Sequence, residues 1–287
     1  MRLAGTGLAF AVMALGAVGA QAAEVWKLEG FETPESVLFD EARAVFYVSN
    51  VSGQPRVKDG NGFISKLSPE GEIMERNWVT GLDGPAGLVI SGDTLFVSDI
   101  DRLVAIDIET GTISGTWPAE GAMFLNDTAV DAEGRVYVSD MLTNRIHVLA
   151  DDTLSVFAEG EALDHPNGLA VSDGALVVAA WGPGMREDFT TETGGNLLSV
   201  DLATGAVTDL GSGAPVGNLD GLEPDGAGNW LVTDWIAGAL YRIAPDGSFE
   251  LLRDLPQGSA DLEYLPDSNT VVIPLMLDGE MVAETLE

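Results

Sequence analysis

Cysteine is absent from this 287-residue chain, histidine occurs only twice, and 13 lysines and arginines face 46 acidic residues. Because no disulfide can form, stability must come from a large apolar core or a bound metal ion. The lack of cysteine, the two histidines and the absence of a nucleophile elbow argue against catalysis through a covalent acyl-enzyme. The formal net charge of −33 argues against a nucleic-acid partner, since phosphate binding needs basic surface, and it attracts cations. A saline habitat would also account for most of the acidic residues.

Long apolar runs are scarce too, and the single one lies at the start of the chain. Arg2 precedes an uncharged apolar run from Leu3 to about Ala20, and Ala20-Gln21-Ala22 has the small residues of a signal-peptidase site. Residues 1–22 are therefore predicted to be a signal peptide, and residues 23–287 a single periplasmic or secreted domain. A membrane anchor is the alternative interpretation, although the run is marginal in length for a span.

The remainder of the chain is predicted to consist of short strands, because helical periodicity is almost absent. A similar six-residue phrase occurs six times, at intervals of 40 to 53 residues. The copies begin at Pro34, Pro85, Leu125, Pro166, Leu219 and Ser259. Each is followed, 11 to 13 residues after its first residue, by a second apolar run that ends in small or polar residues, such as Tyr137-Val138-Ser139-Asp140. Repeats of about this length built from short strands are typical of β-propellers.

The sequence thus predicts an all-β, six-bladed β-propeller with one blade per copy. The predicted blades cover approximately residues 34–80, 85–118, 126–158, 166–210, 220–252 and 260–286. The sixth copy lacks a fourth strand, and Val25–Leu28 resembles the fourth strands of the other blades. This N-terminal segment is predicted to complete the last blade, which closes the ring and removes an exposed sheet edge.

The second position of the repeated phrase carries four oxygen donors and two small residues. In blade order the six residues are Glu35, Ala86, Asn126, Asn167, Asp220 and Ala260. The first strand of each blade lines the propeller axis, so side chains at one height converge there. Two carboxylates and two amides form an all-oxygen ligand set for a hard cation, with water completing the shell. Calcium suits such an irregular site, and magnesium, manganese or adventitious zinc are alternatives.

A structural interpretation of the same residues is also available. Asn126 and Asn167 could be turn residues that lead into strands, as Asn and Asp often are. However, Glu35 and Asp220 would then face each other in a desolvated channel with nothing to offset their repulsion. The occurrence of all four donors in register favours a metal site.

Two of the predicted blades carry an insert after their second strand. The inserts are Val51–Asn61 and Gly182–Gly194, and both are predicted to overhang the face that carries the four donors. They contain Arg56, Lys58 and Arg186, three of the few basic residues of the chain. These side chains could contact an acidic or carbonyl-bearing substrate, since long loops on a rigid scaffold often carry function, or could be solvated loop charges.

The sequence around the four donors resembles the senescence marker protein/gluconolactonase/LRE-like family of calcium-dependent six-bladed propeller hydrolases. The matching segments are PESVLFD with Glu35, FLNDTAVDAEGRVYVSD with Asn126, HPNGLAV with Asn167 and LDGLEPDGAGNWLVTD with Asp220. The resemblance implies that these four residues bind the metal and that the activity is hydrolysis of a lactone or related ester. It also implies that Asp220 orients or deprotonates the attacking water.

One position departs from the sugar-lactonase members of that family. Those members have an arginine two residues before the blade-three asparagine, where it helps to hold the substrate, and this chain has Phe124. The departure argues against gluconolactone and for a less polar substrate.

Several further residues are candidates for the site. Asp127 and His165 are each close in sequence to a predicted ligand and could share the work of a base, although a turn or supporting role is the alternative. Trp181, Trp235 and Met123 could form an apolar wall over the metal or could pack between blades.

Three functional hypotheses therefore remain open. The first is a calcium-dependent hydrolase of a small lactone-like or ester-like molecule at the propeller axis. The second is a non-enzymatic secreted binding propeller with a structural metal. The third is a metal-free scaffold that resembles strictosidine synthase or NHL-repeat propellers. The first implies a small-molecule substrate as the partner and no membrane association after signal cleavage.

Overall fold

The computed structural model describes residues 23–286; the predicted signal peptide, residues 1–22, lies outside the described residues, as does Glu287. The described chain forms six four-stranded antiparallel sheets, which are the six predicted blades. Besides its 24 strands it has two single-turn 3-10 helices, Glu161–Leu163 and Pro266–Ser268. No helix in residues 23–286 is long and apolar enough to cross a bilayer.

The first three blades follow one another along the chain after an N-terminal strand, β1 (Glu24–Glu29). Blade one contains β2 (Pro34–Asp40), β3 (Val45–Asn50), β4 (Gly62–Leu67) and β5 (Ile73–Leu82). Blade two contains β6 (Pro85–Ser91), β7 (Thr94–Asp99), β8 (Arg102–Asp107) and β9 (Thr112–Pro118). Blade three contains β10 (Leu125–Val130), β11 (Val136–Asp140), β12 (Arg145–Ala150) and β13 (Thr153–Glu159).

The remaining three blades continue the same arrangement. Blade four contains β14 (Pro166–Ser172), β15 (Ala175–Ala180), β16 (Leu197–Asp201) and β17 (Val207–Asp209). Blade five contains β18 (Leu219–Pro224), β19 (Trp230–Asp234), β20 (Ala239–Ile243) and β21 (Phe249–Asp254). Blade six contains β22 (Glu263–Leu265), β23 (Thr270–Leu275) and β24 (Glu280–Thr285), and its outer strand is β1. Its first strand is short, so Ala260 precedes β22 rather than lying within a strand.

The outer strand of the sixth blade comes from the start of the described chain. β1 pairs antiparallel with β24, with Trp26 opposite Ala283 and Leu28 opposite Met281. Trp26 and Leu28 pack against the core cluster that contains Phe46 and Met281, between blades six and one. The apolar side chains of this segment thus join the two blades between which the ring closes.

The hydrophobic core lies between the blades. The largest clusters each join two neighbouring sheets: one contains residues such as Tyr47 and Val97 from blades one and two, and another Tyr137 and Val178 from blades three and four. Similar clusters join the other neighbouring pairs, including blades six and one. The inner strands are almost entirely buried, whereas outer strands such as β9 are largely exposed. The rigid centre therefore holds the first strands at fixed positions around the axis.

Candidate metal centre at the propeller axis

The second and third residues of the repeated phrase form a β-bulge in five blades. In blade three Leu125 pairs with Asp140 and Thr128 pairs with Val138. Two residues of β10 therefore lie between these pairs where β11 has one. The same register shift occurs in blades one, two, four and five. A bulge interrupts the regular alternation of side chains and is common beside functional sites. It therefore determines where the second-position side chains point.

Hydroxyl side chains on the second strands hold these bulges in place. The hydroxyl of Ser139 accepts the backbone N–H of Asp127 at 3.0 Å and donates to the carbonyl oxygen of Asn167, in the next blade, at 2.8 Å. Thr233 makes the same two bonds between blades five and six, at 2.8 and 2.9 Å. One buried hydroxyl thus satisfies a bulged N–H and ties its blade to the backbone of the next blade.

Gly168 allows the first strands of blades four and five to approach closely. A Cβ atom at this position would collide with the carbonyl oxygen of Asp220 and lie 3.1 Å from the Cβ atom of Leu222. The glycine of the Pro-Asn-Gly-Leu motif is therefore a packing requirement, since it brings Asn167 and Asp220 onto neighbouring, closely spaced backbones.

The four predicted ligands are buried, and each has one side-chain oxygen without a hydrogen-bond partner. Glu35, Asn126, Asn167 and Asp220 are 5%, 5%, 1% and 4% exposed. In residues 23–286 eight buried side-chain polar atoms have no hydrogen-bond partner, and Oε2 of Glu35, Oδ1 of Asn126, Oδ1 of Asn167 and Oδ1 of Asp220 are four of them. Buried polar atoms are rarely left unsatisfied, so this concentration of oxygen atoms fits a site for a cation.

The two carboxylates of the ring are electrostatically unfavourable in isolation. Burial raises the pKa of Glu35 well above its ordinary value, and the charge of Asp220 raises it further. Burial likewise raises the pKa of Asp220. The nearby amides of Asn126 and Asn167 lower the pKa of Glu35 and of Asp220 respectively, but these effects are smaller than that of burial. A divalent cation would supply the missing compensation.

The donor set contains two carboxylates and two neutral amides. Within the described residues, no group of three or more His, Cys, Asp or Glu side chains is placed to hold a metal. That finding is compatible with the ring, because amide oxygens provide half of its donors. Hard cations such as calcium bind carboxylate and amide oxygens alike, so the residues present fit calcium better than a thiolate-seeking or imidazole-seeking metal.

The ring forms the floor of a cavity of about 360 Å³. Its aromatic wall consists of Phe124, Trp181, Phe189 and Trp235. Its aliphatic wall includes Val51, Pro55, Met141, Ile236 and Met276. Val51 and Pro55 come from the first insert and Phe189 from the second, so both inserts contribute to the cavity, as their positions in the sequence predicted. An apolar pocket with a few converging polar groups is the usual form of a small-molecule site.

The aromatic side chains of the wall contact one another in a continuous arc. Trp181 lies with its ring centroid 6.1 Å from that of Trp235 and 6.5 Å from that of Phe189, and Phe124 lies 6.5 Å from Phe189 on the other side. The indole N–H of Trp181 donates to the carbonyl oxygen of Phe189 at 2.8 Å, and Asn218 donates to the carbonyl oxygen of Trp181 at 2.8 Å. These bonds fix the wall to the loop that covers it.

Asp127 lies beside the ring but does not line the cavity. Its Oδ1 atom accepts the N–H of Thr128 at 2.6 Å, and its Oδ2 atom accepts the N–H of Leu169, in blade four, at 2.6 Å. Burial raises the pKa of this carboxyl group. The first bond therefore lies within β10, and the second joins blades three and four.

His165 also lies outside the cavity lining. Its Nδ1 atom is 2.8 Å from the carbonyl oxygen of Met141, and its ring borders a separate outer groove with Arg56, Met123 and Arg186. His165 thus contacts the backbone of Met141, a residue of the cavity lining, but does not line the cavity itself.

None of the basic residues of the inserts lines the cavity. The guanidinium group of Arg56 lies 5.9 Å from the centre of the Phe189 ring, on the side of the outer groove. Arg186 donates to the hydroxyl of Thr190 at 3.2 Å within its own insert, and Lys58 forms an ion pair with Asp101. Of the predicted substrate contacts, Phe124 and Trp181 line the cavity whereas Arg56 and Arg186 border the groove outside it.

A second group of acidic residues lies near the ring in the propeller channel. Burial raises the pKa of Asp261 to about 7 and that of Glu263 to about 8. Glu223 is affected by both, and its pKa rises well above the ordinary value, chiefly through burial. The hydroxyl of Ser36 donates to Asp261 at 2.6 Å and the N–H of Phe39 donates to Glu263 at 2.6 Å. The buried carboxyl groups of the axis therefore extend beyond the four ring residues, and burial favours their uncharged forms.

Three features of the site were not identified from the sequence. The hydroxyl side chains that hold the bulges could have been found, because the same position of the second strands carries a serine or threonine in four blades: Ser49, Ser98, Ser139 and Thr233. Phe189 carried a weaker signal, as a large apolar residue in an otherwise largely polar insert. The bulge itself left no separate signal, because the alternation of apolar residues resumes on both sides of it.

Comparison with known proteins agrees with the fold. No protein-family model matches the chain, and no curated protein matches it. Among solved structures, it is similar to a gluconolactonase from Xanthomonas campestris with a TM-score of 0.66 and 17% identity over 93% of this chain and 89% of the other. It is also similar to a candidate gluconolactonase, with a TM-score of 0.65 and 20% identity over 94% of this chain and 93% of the other. A third similar structure is the virginiamycin B lyase of Staphylococcus aureus, solved with quinupristin. Its TM-score is 0.61, with 13% identity over 93% of this chain and 100% of the other.

Proposed function

We propose that the chain is a calcium-dependent hydrolase of a small lactone or ester, with its active site at the mouth of the propeller axis. One observation carries the proposal: four buried oxygen atoms without hydrogen-bond partners, from Glu35, Asn126, Asn167 and Asp220, lie at the floor of a cavity with largely apolar walls. Such a floor suits a cation, and such a wall suits an organic substrate.

The four ring residues would hold the cation, and the chemistry it supplies when bound is polarisation of a carbonyl oxygen and a lower pKa for water. Asn126 and Asn167 contribute neutral oxygens, so the formal charge of the ring is that of the two carboxylates, −2. Those charges match a divalent ion and leave no excess to repel a neutral ester.

Asp220 is the residue that we assign as the base. It is buried at the cavity floor, and a carboxylate has two oxygens, so one can hold the cation while the other accepts the proton of the water. In the hydrolytic step the oxygen of water forms a bond to the carbonyl carbon, and its proton passes to Asp220. The bond from the carbonyl carbon to the ring or ester oxygen then breaks, and the leaving oxygen takes up a proton. The apolar walls exclude bulk water from this step.

Asp127 has a positioning role in this proposal. Both of its oxygens already accept backbone N–H groups, one of them from Leu169 in the next blade. His165 does not line the cavity, so we assign it no direct part in proton transfer. The proposal therefore rests on a single protein base. A pH–rate profile that shows the ionisation of one carboxyl group would support it.

The fold similarity to a gluconolactonase and to a candidate gluconolactonase supports a hydrolytic function. The local sequence resemblance at all four ring positions supports the same assignment. Phe124 replaces the arginine of sugar lactonases, which agrees with an apolar cavity wall. The similar virginiamycin B lyase is a different kind of enzyme by name, so fold alone does not define the reaction.

A panel of neutral lactones and esters, assayed with calcium and after chelation, tests the proposal. We expect calcium-dependent release of acid and its loss in the Asp220→Asn variant. A binding propeller with a structural metal would instead show calcium-dependent melting and no hydrolysis across the panel. A metal-free scaffold would show neither response, which would refute the assignment of the ring.

A further inference from the structure

The cavity is divided sharply between a polar floor and apolar walls. Apart from the four ring residues, the polar side chains that line it belong to Asp188 and Gln257, and both residues are exposed at the protein surface. Within the described residues, no lysine, arginine or histidine lines this cavity. The walls therefore offer a bound molecule almost no hydrogen-bond donors.

This distribution discriminates between classes of lactone or ester. A polyhydroxylated lactone would lose its hydration in the cavity, and its hydroxyl groups would find few partners on the walls. A substrate with a carboxylate or phosphate group would meet Asp188 at the rim and no cationic side chain on the walls. A neutral molecule with an apolar body is compatible with both surfaces.

The aromatic arc defines the shape of the complementary group. Trp181 lies with its ring tilted by 47° to that of Trp235, and Phe189 stands at 75° to Trp181 and at 66° to Phe124. Aromatic groups pack favourably against such faces and edges. The volume of about 360 Å³ has room for a compact body of this kind rather than for an extended chain.

Phe189 is the side chain that closes the arc. It lies in the second insert with a φ angle of 63°, a conformation that large residues seldom adopt. It contacts Phe124, Trp181 and Arg56, and it borders both the inner cavity and the outer grooves. A strained aromatic residue at the boundary between two cavities points to a role in ligand selection.

We infer that the site selects neutral lactones or esters whose non-reacting part is a compact aromatic group, and that Phe189 determines this preference. The inference rests on the proposed hydrolytic function for its reaction. In the bound complex the carbonyl group lies at the floor of the cavity, where the ring residues would hold the cation that polarises it, and the aromatic group packs among Trp181, Trp235, Phe124 and Phe189.

The substrate class is tested by turnover with calcium-loaded protein. The probes are γ-phenyl-γ-butyrolactone, with an apolar ring substituent, and D-glucono-δ-lactone, with several hydroxyl groups. We expect kcat/KM to be at least about tenfold higher for the phenyl lactone, the lower end of the discrimination that an apolar pocket provides. Equal or faster turnover of the gluconolactone would overturn the inference and leave the hydrolase proposal intact.

Binding is measured separately so that the two proposals can fail independently. The hydrolysis-resistant lactam 5-phenyl-2-pyrrolidinone is titrated by calorimetry into the wild-type protein and into the Asp220→Asn variant. Binding of the lactam to the wild-type protein, with hydrolysis of neither lactone, would refute the hydrolase and retain the aromatic site. Turnover of other esters without any lactam binding would refute the aromatic site and retain the hydrolase.

The Phe189→Ala variant tests the residue that we assign to selection. We expect it to lower the ratio of kcat/KM for the phenyl lactone over the gluconolactone by about tenfold, within the range for a changed apolar contact. Phe249→Ala is the matched control, because Phe249 is a half-exposed residue of β21 that packs on Tyr241 away from the cavity. An unchanged ratio in a folded Phe189→Ala variant, or an equal change in the control, would refute the role of Phe189.

Discussion

The hydroxyl group of Ser139, in blade three, donates a hydrogen bond of 2.8 Å to the carbonyl oxygen of Asn167, in blade four. The same hydroxyl accepts the N–H of Asp127, the residue that follows Asn126. The backbones that carry the two asparagines of the ring are therefore linked through one buried side chain. The geometry of the site depends on contacts between blades as well as on the ligands themselves.

The Ser139→Ala variant should weaken the site without removing a ligand. It leaves a bulged N–H and a carbonyl group without their partner, so we expect a loss of about 1–3 kcal/mol in the free energy of unfolding. Calcium affinity should fall as well, because the positions of Asn126 and Asn167 are no longer coupled. Ser155→Ala, an exposed position on β13 of the same blade, is the control. Denaturant titration and calcium titration check both effects, and wild-type behaviour of Ser139→Ala would contradict this account.

The Asp220→Asn variant should be more stable than the wild type when calcium is removed. Burial and neighbouring carboxylates raise the pKa of Asp220, so the charged form is costly in the folded protein without a cation. We expect the melting temperature of the calcium-free protein to rise by about 2–4 °C, which corresponds to ~1 kcal/mol in a domain of this size. Added calcium should stabilise the wild type but not the variant.

Asp140→Asn provides the opposite case for comparison. Asp140 is also buried, but it accepts hydrogen bonds from the hydroxyl of Thr143 and from the N–H of Phe124, at 2.5 and 3.0 Å. Its pKa is lowered overall, although burial, the largest single influence, raises it. We therefore expect this substitution to destabilise the protein with or without calcium. If both variants lost stability in calcium-free buffer, the ring would not be an uncompensated site.

The blades and the ring were predictable from the sequence because the propeller repeats its chemistry with its fold. Aligning the six phrases was enough to place Glu35 and Asp220 at one height, since equivalent residues of first strands occupy equivalent positions. The roof of the cavity was not predictable in this way. Phe189 belongs to an insert that has no counterpart in the other blades, and its placement depends on a loop conformation with positive φ and on contacts with Trp181.

The role of Asp127 shows a second limit of prediction from the sequence. Its position next to Asn126 made it a candidate for proton transfer, but the hydrogen bonds of its carboxylate to Thr128 and Leu169 are made across a bulge and between blades. Such contacts depend on the register shift in β10, which a regular strand pattern does not indicate. The separation of Arg56 from the cavity by Phe189 has a similar origin in loop geometry.

Glu263 should make the stability of the protein decrease as the pH rises. Its pKa is raised from 4.5 to about 8, first by burial and then by the charge of Asp261, although the N–H of Phe39 opposes the rise. The unfolded chain therefore releases this proton at a lower pH than the folded protein does. Stability is lost between about pH 4.5 and pH 8, and is constant with respect to this group outside that window.

The Glu263→Gln variant isolates this effect. A glutamine can still accept the N–H of Phe39 but does not ionise, so we expect the melting temperature to depend less on pH than in the wild type. The two proteins should be most similar near pH 4, and the variant should be the more stable at pH 8. Melting curves across this range check the prediction, and a steeper loss of stability in the variant would contradict it.

The Trp26→Ala variant should weaken the closure of the propeller. Trp26 belongs to β1, packs against Phe46 with a centroid distance of 6.2 Å, and donates from its indole nitrogen to the carbonyl oxygen of Pro69 at 3.2 Å. We expect a loss of about 2–3 kcal/mol, at or below the usual range for a fully buried tryptophan because this one is half-buried. Val25→Ala, at an exposed position of the same strand, should have little effect. Denaturant unfolding compares the two.

Calcium stoichiometry, measured by equilibrium dialysis of residues 23–287 and of its Asp220→Asn and Asn167→Ala variants, tests the central claim most directly. We expect the wild type to bind one calcium ion at the ring with high affinity, and both variants to bind it much more weakly while remaining folded. A wild-type protein that binds no calcium, or variants that retain one tightly bound ion per chain, would contradict the assignment of the propeller axis as a metal centre.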